Sequence, residues 1–321
     1  MAAGTITLFG GSGFIGRYVV QRLAEKGWVI RVAVRHPVRA KFLKPLGNVG
    51  QIVPIACDLT EDRQVRAALE GADAAVNFVG ILFERGAQSF GAVQHEGARR
   101  AATIAAELGI SDFVQLSAIG ADPEGAAEYA RSKGAGEAAV RAAIPRARIL
   151  RPSIVFGPED GFFNRFAAMA RLAPALPLIG GGKTRFQPVY VADVADAVMR
   201  CLEDPATAGR TFELGGPAVL TFEELMELML REIHRRRLLV PLPFWAAEIQ
   251  GSLLEKLPII DPPLTRDQVE LLKSDNVVGA GAEGLEALGI TPHALEVILP
   301  TYLDRYRPGG RFATGDHLTT A

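Results

Sequence analysis

Tyr129 and Lys133 stand four residues apart in the run Tyr129-Ala130-Arg131-Ser132-Lys133. On a helix that spacing puts a phenol and an ammonium on one face. Such a pair can do general acid–base chemistry: the cation lowers the phenol's pKa, and the phenol exchanges a proton with a carbonyl or an alcohol. A Tyr-x-x-x-Lys match also describes many plain helix surfaces, so its meaning depends on its setting. A second motif supplies that setting. Gly10, Gly13 and Gly16 lie in GGSGFIG, directly behind a strand-like run at 5–9. After them Ile15, Val19 and Leu23 recur at helical spacing. Strand, glycine turn and helix in succession form a dinucleotide-binding fingerprint. Gly10 takes the tight turn, Gly13 lets the backbone approach a pyrophosphate, and Gly16 lets the helix pack on the strand. Phe14, Ile15 and Arg17 open that helix, whose N-terminus offers N–H groups and partial positive charge to phosphate.

The elements that must position these residues alternate through the first half. Strand-like runs at 29–34, 51–55, 74–79, 113–116 and 148–155 follow the first. Helical patterns at 65–69 and 97–108 lie between them. The alternation predicts a parallel sheet covered by helices on both faces. Tyr129 and Lys133 then fall just behind the fifth strand. Beyond residue 157 the rhythm loosens: Gly180-Gly181-Gly182 marks a loop, and a helix is expected over 191–202. Thr221 with Glu224 reads as a capping box opening a helix to about His234, and Thr265 with Gln268 repeats the device.

At 321 residues, 49% apolar and 22% charged, the chain has material for a large core. Its net charge of −1 gives no electrostatic case for nucleic acid as a partner. Cys57 and Cys201 match no metal spacing and read as buried thiols in a reducing compartment. His95, His293 and His317 read as surface or packing residues. Asp193 and Asp196, three apart on a helical pattern, read as a solvated face or a cap. No apolar run approaches the ~18 residues a membrane span needs. The first strand begins by residue 5, so no leader is expected.

The second strand decides which nucleotide fits. A chain that prefers NAD carries an acidic residue at that strand's end to hold the ribose 2′-hydroxyl. Here the strand ends in Arg35-His36, with Arg39 close by and Arg17 directed toward the same corner. A guanidinium there suits a 2′-phosphate, so NADP(H) is the expected ligand. Asp58 and Leu59, after the third strand, are placed to face the adenine. Val79 and Gly80, closing the fourth, are placed against the adenosine ribose and phosphates. Lys133 would hold the nicotinamide ribose, with Pro152 and Ile154 beside the nicotinamide.

Taken together, GGSGFIG, Asp58, YARSK, RPSIVFGPED and QPVYVADVADAV resemble the extended and atypical short-chain dehydrogenase/reductase superfamily over nearly the whole chain. The resemblance implies an α/β fold, a Rossmann-like doubly wound parallel sheet with a small, mostly helical C-terminal domain. Residues 1–157, with 183–215 returning to them, would form the dinucleotide-binding domain. Residues 158–308 would be mainly a docking region and 309–321 a flexible tail. Catalytic members present two adjacent hydroxyl residues after the fifth strand, the second one catalytic, and an asparagine after the fourth. This chain has Ser117 followed by Ala118, and Gln94 at the asparagine position. Ser117 is therefore the remaining hydroxyl candidate beside Tyr129 and Lys133, and binding is kept better than chemistry.

GGSGFIGRYVVQRLA, VNFVGIL, LRPSIVFGPEDGFFNRFA, GGGKTRFQPVYVADVADAV and PPLTRDQVELLKSDNVV narrow the resemblance to one subgroup. It is similar to the NADPH-binding, dehydrogenase-like accessory subunits of respiratory complex I and their bacterial relatives. That implies tightly held NADPH without established turnover, and docking among complex I subunits near the membrane and the quinone-binding region. It also implies a peripheral place on the cytoplasmic side of a bacterial inner membrane, or on the matrix side in a mitochondrion. The alternatives are an NADP-dependent reductase or epimerase acting on a nucleotide-sugar or isoprenoid-like substrate, and a redox-sensing regulator. Arg235, Arg236 and Arg237 run into an apolar stretch containing Trp245, which fits a contact with anionic lipid or with another subunit as well as a buried segment.

Overall fold

Strands rich in Val, Ile and Ala and buried on both faces belong in the middle of a parallel sheet, where crossover helices cover both sides. The computed structural model, which describes residues 4–254 and 264–310, shows such a sheet. Its strands are β1 (Thr5–Phe9), β2 (Val29–Val34), β3 (Ile52–Ala56), β4 (Ala74–Asn77), β5 (Asp112–Leu116), β6 (Arg148–Pro152) and β7 (Thr211–Leu214). They lie in the order β7-β6-β5-β4-β1-β2-β3, every neighbour parallel. The chain reverses its direction of travel between β1 and β4, the place where such sheets open a ligand crevice. Pro54 sits in β3, at the sheet's edge, where a missing N–H costs no ladder bond between strands.

Five helices flank this sheet: α1 (Phe14–Glu25), α2 (Asp62–Leu69), α3 (Gly97–Glu107), α4 (Glu128–Ala143) and α5 (Val191–Glu203). α1 packs along α5, joined by an ion pair between Arg22 and Asp196. α2, α3 and α4 pack in a row. α3 buries Ala98, Ala101, Ala102 and Ala105, whose small side chains let its neighbours approach closely.

By its contacts the chain divides into two units. The first holds the seven-stranded sheet and comprises Met1–Ser153, Val191–Gly215 and Val278–Thr291. The second comprises Ile154–Tyr190, Gly216–Val277 and Pro292–Ala321. The sequence pattern puts the first boundary at 157 and returns 183–215; the contacts put the boundary at Ser153, return Val191–Gly215, and add Val278–Thr291, which carries no periodic pattern to betray its partner. The strand expected over 148–155 stops at Pro152. Val155–Phe156 pairs instead with Val189–Tyr190 in the second unit. β7 was not read at all, being four residues long with only Phe212 and Leu214 fully buried.

The second unit is built on an aromatic and aliphatic core that includes Phe156, Phe163, Phe222, Leu225, Met229, Leu299 and Tyr302. Both capping boxes form, at Thr221 with Glu224 and at Thr265 with Gln268. The stretch from Leu238 becomes a strand, Leu238–Leu242, paired in parallel with Ala175–Ile179, and then a helix, Phe244–Leu254. Most of the expected flexible tail, and His317 with it, lies outside the described residues.

Candidate functional site

The glycine turn has the geometry its residue types require. Gly10 has φ +74°, which an L side chain rarely adopts. Opposite it lies Val79: a β-carbon on Gly10 would stand 3.1 Å from Val79 Cγ2, so the ends of β1 and β4 meet across the turn. A β-carbon on Gly16 would stand 2.6 Å from Gly11 Cα, which only glycine permits. Gly13 is the N-cap of α1, and with no side chain to cap the helix it leaves that end open to an anion. A β-carbon there would meet Gly10 O at 3.2 Å and no other atom within 4 Å. Phe14 and Ile15 follow, half-buried.

Around the acid–base pair, three neighbouring segments converge on Lys133. Its ammonium donates to the Leu116 carbonyl at the end of β5, 3.3 Å away. It lies 5.9 Å from the centre of the Tyr129 ring, and Tyr129 meets Phe90 edge to face. A β-carbon on Gly80 would stand 3.1 Å from Lys133 Nζ and 3.7 Å from Gln94 Oε1. Gln94 belongs to a π-helical turn, Gly91–Glu96, just ahead of α3. Its amide nitrogen donates to the Ile81 carbonyl. Such turns widen a helix locally and recur at binding sites. Lys133 is buried, and burial pushes it down to about 8 against the opposing pull of the Glu137 carboxylate.

Two buried polar atoms here, Gln94 Oε1 and Ser117 Oγ, have no hydrogen-bond partner among the described residues. Buried polar groups are normally paired, and unpaired ones mark places where a ligand or water supplies the partner. Orphaned acceptors, a buried cation and an uncapped helix end behind a glycine turn together fit a dinucleotide.

Several candidates take on other work. Asp58 Oδ1 accepts from the Thr60 N–H and hydroxyl, closing the turn ahead of α2. Leu59 is buried in the core beneath α2, α3 and α4. Arg17 stacks its guanidinium 5.2 Å over the Phe42 ring, within the 3₁₀ segment Pro37–Leu46 that follows β2. Arg35 and Arg39 are exposed, with no guanidinium partner among the described residues. Pro152 ends β6 and accepts from the Ile119 N–H, whereas Ile154 belongs to the second unit. Asp193 is fully buried, so it is not on a solvated face. Asp196, on the same helix, is part-exposed and pairs with Arg22. Cys57 and Cys201 are buried thiols pushed up to about 12, as burial demands. His95 lies 3.8 Å from Glu96, and His293 meets Tyr190 edge to face. Among the described residues no metal-binding cluster forms.

The sequence reading missed Glu137. It is buried, with both carboxylate oxygens held by Arg151 at 2.8 and 2.7 Å. Its spacing of four from Lys133 on α4 was the available signal.

Residues 6–215 match the family described as NAD dependent epimerase/dehydratase. NADH dehydrogenase (ubiquinone) 1 alpha subcomplex subunit 9, mitochondrial, of Arabidopsis thaliana is 36% identical over 314 residues, 95% of this chain and 78% of that one. The mitochondrial NADH-ubiquinone oxidoreductase 40 kDa subunit of Neurospora crassa is 32% identical over 94% of this chain and 80% of its own length. The solved structure of MoeE5 in complex with UDP-glucose and NAD shares the fold, with TM-score 0.71 at 16% identity over 94% of this chain and 97% of that one. The chain thus belongs to the NAD dependent epimerase/dehydratase family, whose members bind a nicotinamide dinucleotide, and within it to the group of the complex I alpha subcomplex subunit 9 proteins.

Proposed function

We propose that this protein is an NADP(H)-binding accessory subunit of respiratory complex I, in which the nucleotide is structural or regulatory. The observation that carries the reading is the pairing of a complete cradle with an incomplete reaction centre. The glycine turn, the open end of α1 and the buried Lys133 are all present, while Ala118 stands next to Ser117 where a second hydroxyl would act. The nucleotide would supply a hydride carrier. The chain's own residues hold it: Gly10, Gly13, Phe14, Ile15 and Gly16 at the pyrophosphate, Val79, Gly80 and Lys133 along the ribose. Arg17 and Arg35 are assigned to the 2′-phosphate, which makes NADP(H) the preferred form. The backbone of Asp58 and Leu59 is assigned to the adenine edge, and Pro152 to the nicotinamide. A ligand at 1,000 times its dissociation constant adds about 4 kcal/mol to stability, so a structural role needs no turnover.

The partners in this reading are other complex I subunits near the quinone site, on the cytoplasmic face of a bacterial inner membrane or the matrix face of a mitochondrial one. Among the described residues no helix is long and apolar enough to cross a membrane. The contact with anionic lipid is assigned to Arg236 and Trp245, both exposed. Arg235 and Arg237 are partly engaged in folding, donating to the Tyr306 and Ala170 carbonyls. Membranes solubilised in mild detergent and run on a native gel test the assignment. Co-migration with NADH:ubiquinone oxidoreductase activity supports it, and migration as a free monomer overturns it.

A second reading, a reductase or epimerase, is favoured by one observation: Tyr129 and Lys133 lie together, the cation near the phenol ring. It requires Tyr129→Phe to abolish a measurable carbonyl or alcohol turnover while nucleotide binding survives.

A further inference from the structure

Lys133 keeps company with a half-buried chain of charges that the nucleotide reading does not use. One helical turn along α4 stands Glu137, only 2% exposed, in a bidentate pair with Arg151 of β6. Arg151 Nη1 also reaches Glu213 Oε1 of β7 at 3.4 Å. The other oxygen of Glu213 accepts the Gly279 N–H at 2.8 Å. The chain therefore runs from α4 across two strands to the returning segment Val278–Thr291. All of it lies within the first unit.

We infer that Glu137 is a positioning residue for Lys133: its carboxylate, held in place by Arg151, keeps the lysine a cation beneath the nucleotide ribose. The inference rests on the nucleotide-site reading above. A lysine this deeply buried loses its hydration, and an opposite charge nearby is what offsets that loss. The segments packed against its ammonium supply neutral groups: the Leu116 carbonyl, Gly80 and the Gln94 amide. His95 and Glu96, on the same turn as Gln94, are occupied with each other and with Arg99. Tyr129 and Glu137 remain on the helix itself, with Arg141, Arg151 and Glu213 acting through Glu137.

The geometry sets two variants against each other. Glu137→Gln removes the negative charge and leaves Arg151 in place, so Lys133 should release its proton more easily. Arg151→Met takes away the bidentate partner of Glu137 and leaves only Arg141, whose Nη1 stands 3.7 Å from Glu137 Oε2, so the carboxylate acts more on Lys133 and the lysine should hold its proton more firmly. A structural role alone would send both variants the same way, through loosening of the site.

The experiment is a ¹³C NMR titration of lysine Cε in the full-length protein, with Lys133 assigned from Lys133→Arg. NADPH affinity is measured over the same pH range by calorimetry. The expected result is a fall of at least about one unit in the Lys133 midpoint in Glu137→Gln and a rise in Arg151→Met. The alkaline loss of NADPH affinity should move with each midpoint. Midpoints that stay put, or that shift together, overturn the inference. Opposite midpoint shifts in a protein that binds no NADPH would uphold the role of Glu137 and overturn the nucleotide reading instead.

Discussion

A β-carbon on Gly80 would stand 3.1 Å from the Lys133 Nζ, so the ammonium rests directly on the backbone that leaves β4. An alanine there asks the lysine to give by a few tenths of an ångström. A valine asks for more than the buried side chain has room to yield. Gly80→Val should therefore weaken NADPH binding by about tenfold, equivalent to about 1.4 kcal/mol. Gly80→Ala should change it by less than about threefold. Gly80 itself is exposed, so Gly80→Ala should barely move the melting temperature of the apo protein, while Gly80→Val should lower it through overpacking against Lys133. Calorimetric titration of the two variants checks the order, and equal affinities would remove Lys133 from the site.

Gly16 answers a different constraint. Its missing β-carbon lets α1 sit on the glycine turn, 2.6 Å being the distance at which that carbon would meet Gly11 Cα. The neighbour here is backbone and cannot swing aside. Gly16→Ala should cost about 1–3 kcal/mol through overpacking. It should also open the turn that faces the phosphates. Thermal unfolding with and without NADPH separates the two effects. The variant should melt lower, and nucleotide should no longer raise its melting point.

These two glycines show what was legible in the sequence. Gly10, Gly13 and Gly16 act within a dozen residues of one another, and local spacing suffices to read them. The alternation of strands and helices announced the sheet for the same reason, because each element carries its own periodicity. Glu137, Arg151 and Glu213 come from one helix and two strands, and no local pattern joins them. That β7 is a strand, within the 183–215 expected to return, and that 278–291 joins it stay hidden, since both are set by partners far away in the chain. Asp193, which the pattern reads as a solvated face or a cap, loses the first of those alternatives to burial. A carboxylate on an amphipathic helix looks solvated until its neighbours bury it.

Lys133 gives the molecule a pH signature. It is pushed down to about 8, burial being the larger cause and Glu137 the opposing one. An ordinary lysine in the unfolded chain titrates near ~10.4. Between those values the native state has released its proton while the unfolded chain keeps it, so stability rises with pH across that window. Below it, folding carries the full cost of burying a cation. Lys133→Met should accordingly make the apo protein more stable at neutral pH, by about 3 kcal/mol at most. The difference should shrink as pH climbs toward 10. Urea unfolding of both proteins at several pH values measures it, and a gain independent of pH would contradict a buried cation.

In the second unit, Tyr302 donates its hydroxyl to Asp160 Oδ2 at 2.6 Å, and both residues are buried. Burial raises the Asp160 carboxyl above its ordinary range, while Tyr302 and the N–H groups of Asn164, Gly157 and Phe162 pull it back. A raised carboxyl contributes stability below its unfolded value of ~3.9 and loses it as pH rises through the folded value. Removing the hydroxyl takes away one group that favours the ionised form, so that loss deepens. Tyr302→Phe should cost about 1–3 kcal/mol at neutral pH and less near pH 4. Chemical denaturation at the two pH values tests the sign, and a larger cost in acid would reverse the argument.

In the proposed NADP(H) site, Arg35 is the residue assigned to choose the form of the nucleotide. It stands exposed just past the end of β2, its guanidinium without a partner among the described residues, and Arg17 stacks on Phe42 in the segment that follows. A guanidinium so placed can grip a 2′-phosphate with charge-assisted bonds, while a carboxylate there would repel it and accept from a free 2′-hydroxyl. Arg35→Glu should therefore weaken NADPH binding by about 10- to 100-fold, or about 1.4–2.8 kcal/mol. NADH binding should hold or improve. Titrating both nucleotides into wild type and variant gives the ratio directly. Because the phosphate contact is exposed, raising the salt concentration should weaken NADPH binding to the wild type more than to the variant. An unchanged preference would show that the basic end of β2 is a solvated strand end, and the discrimination would have to come from elsewhere in the crevice.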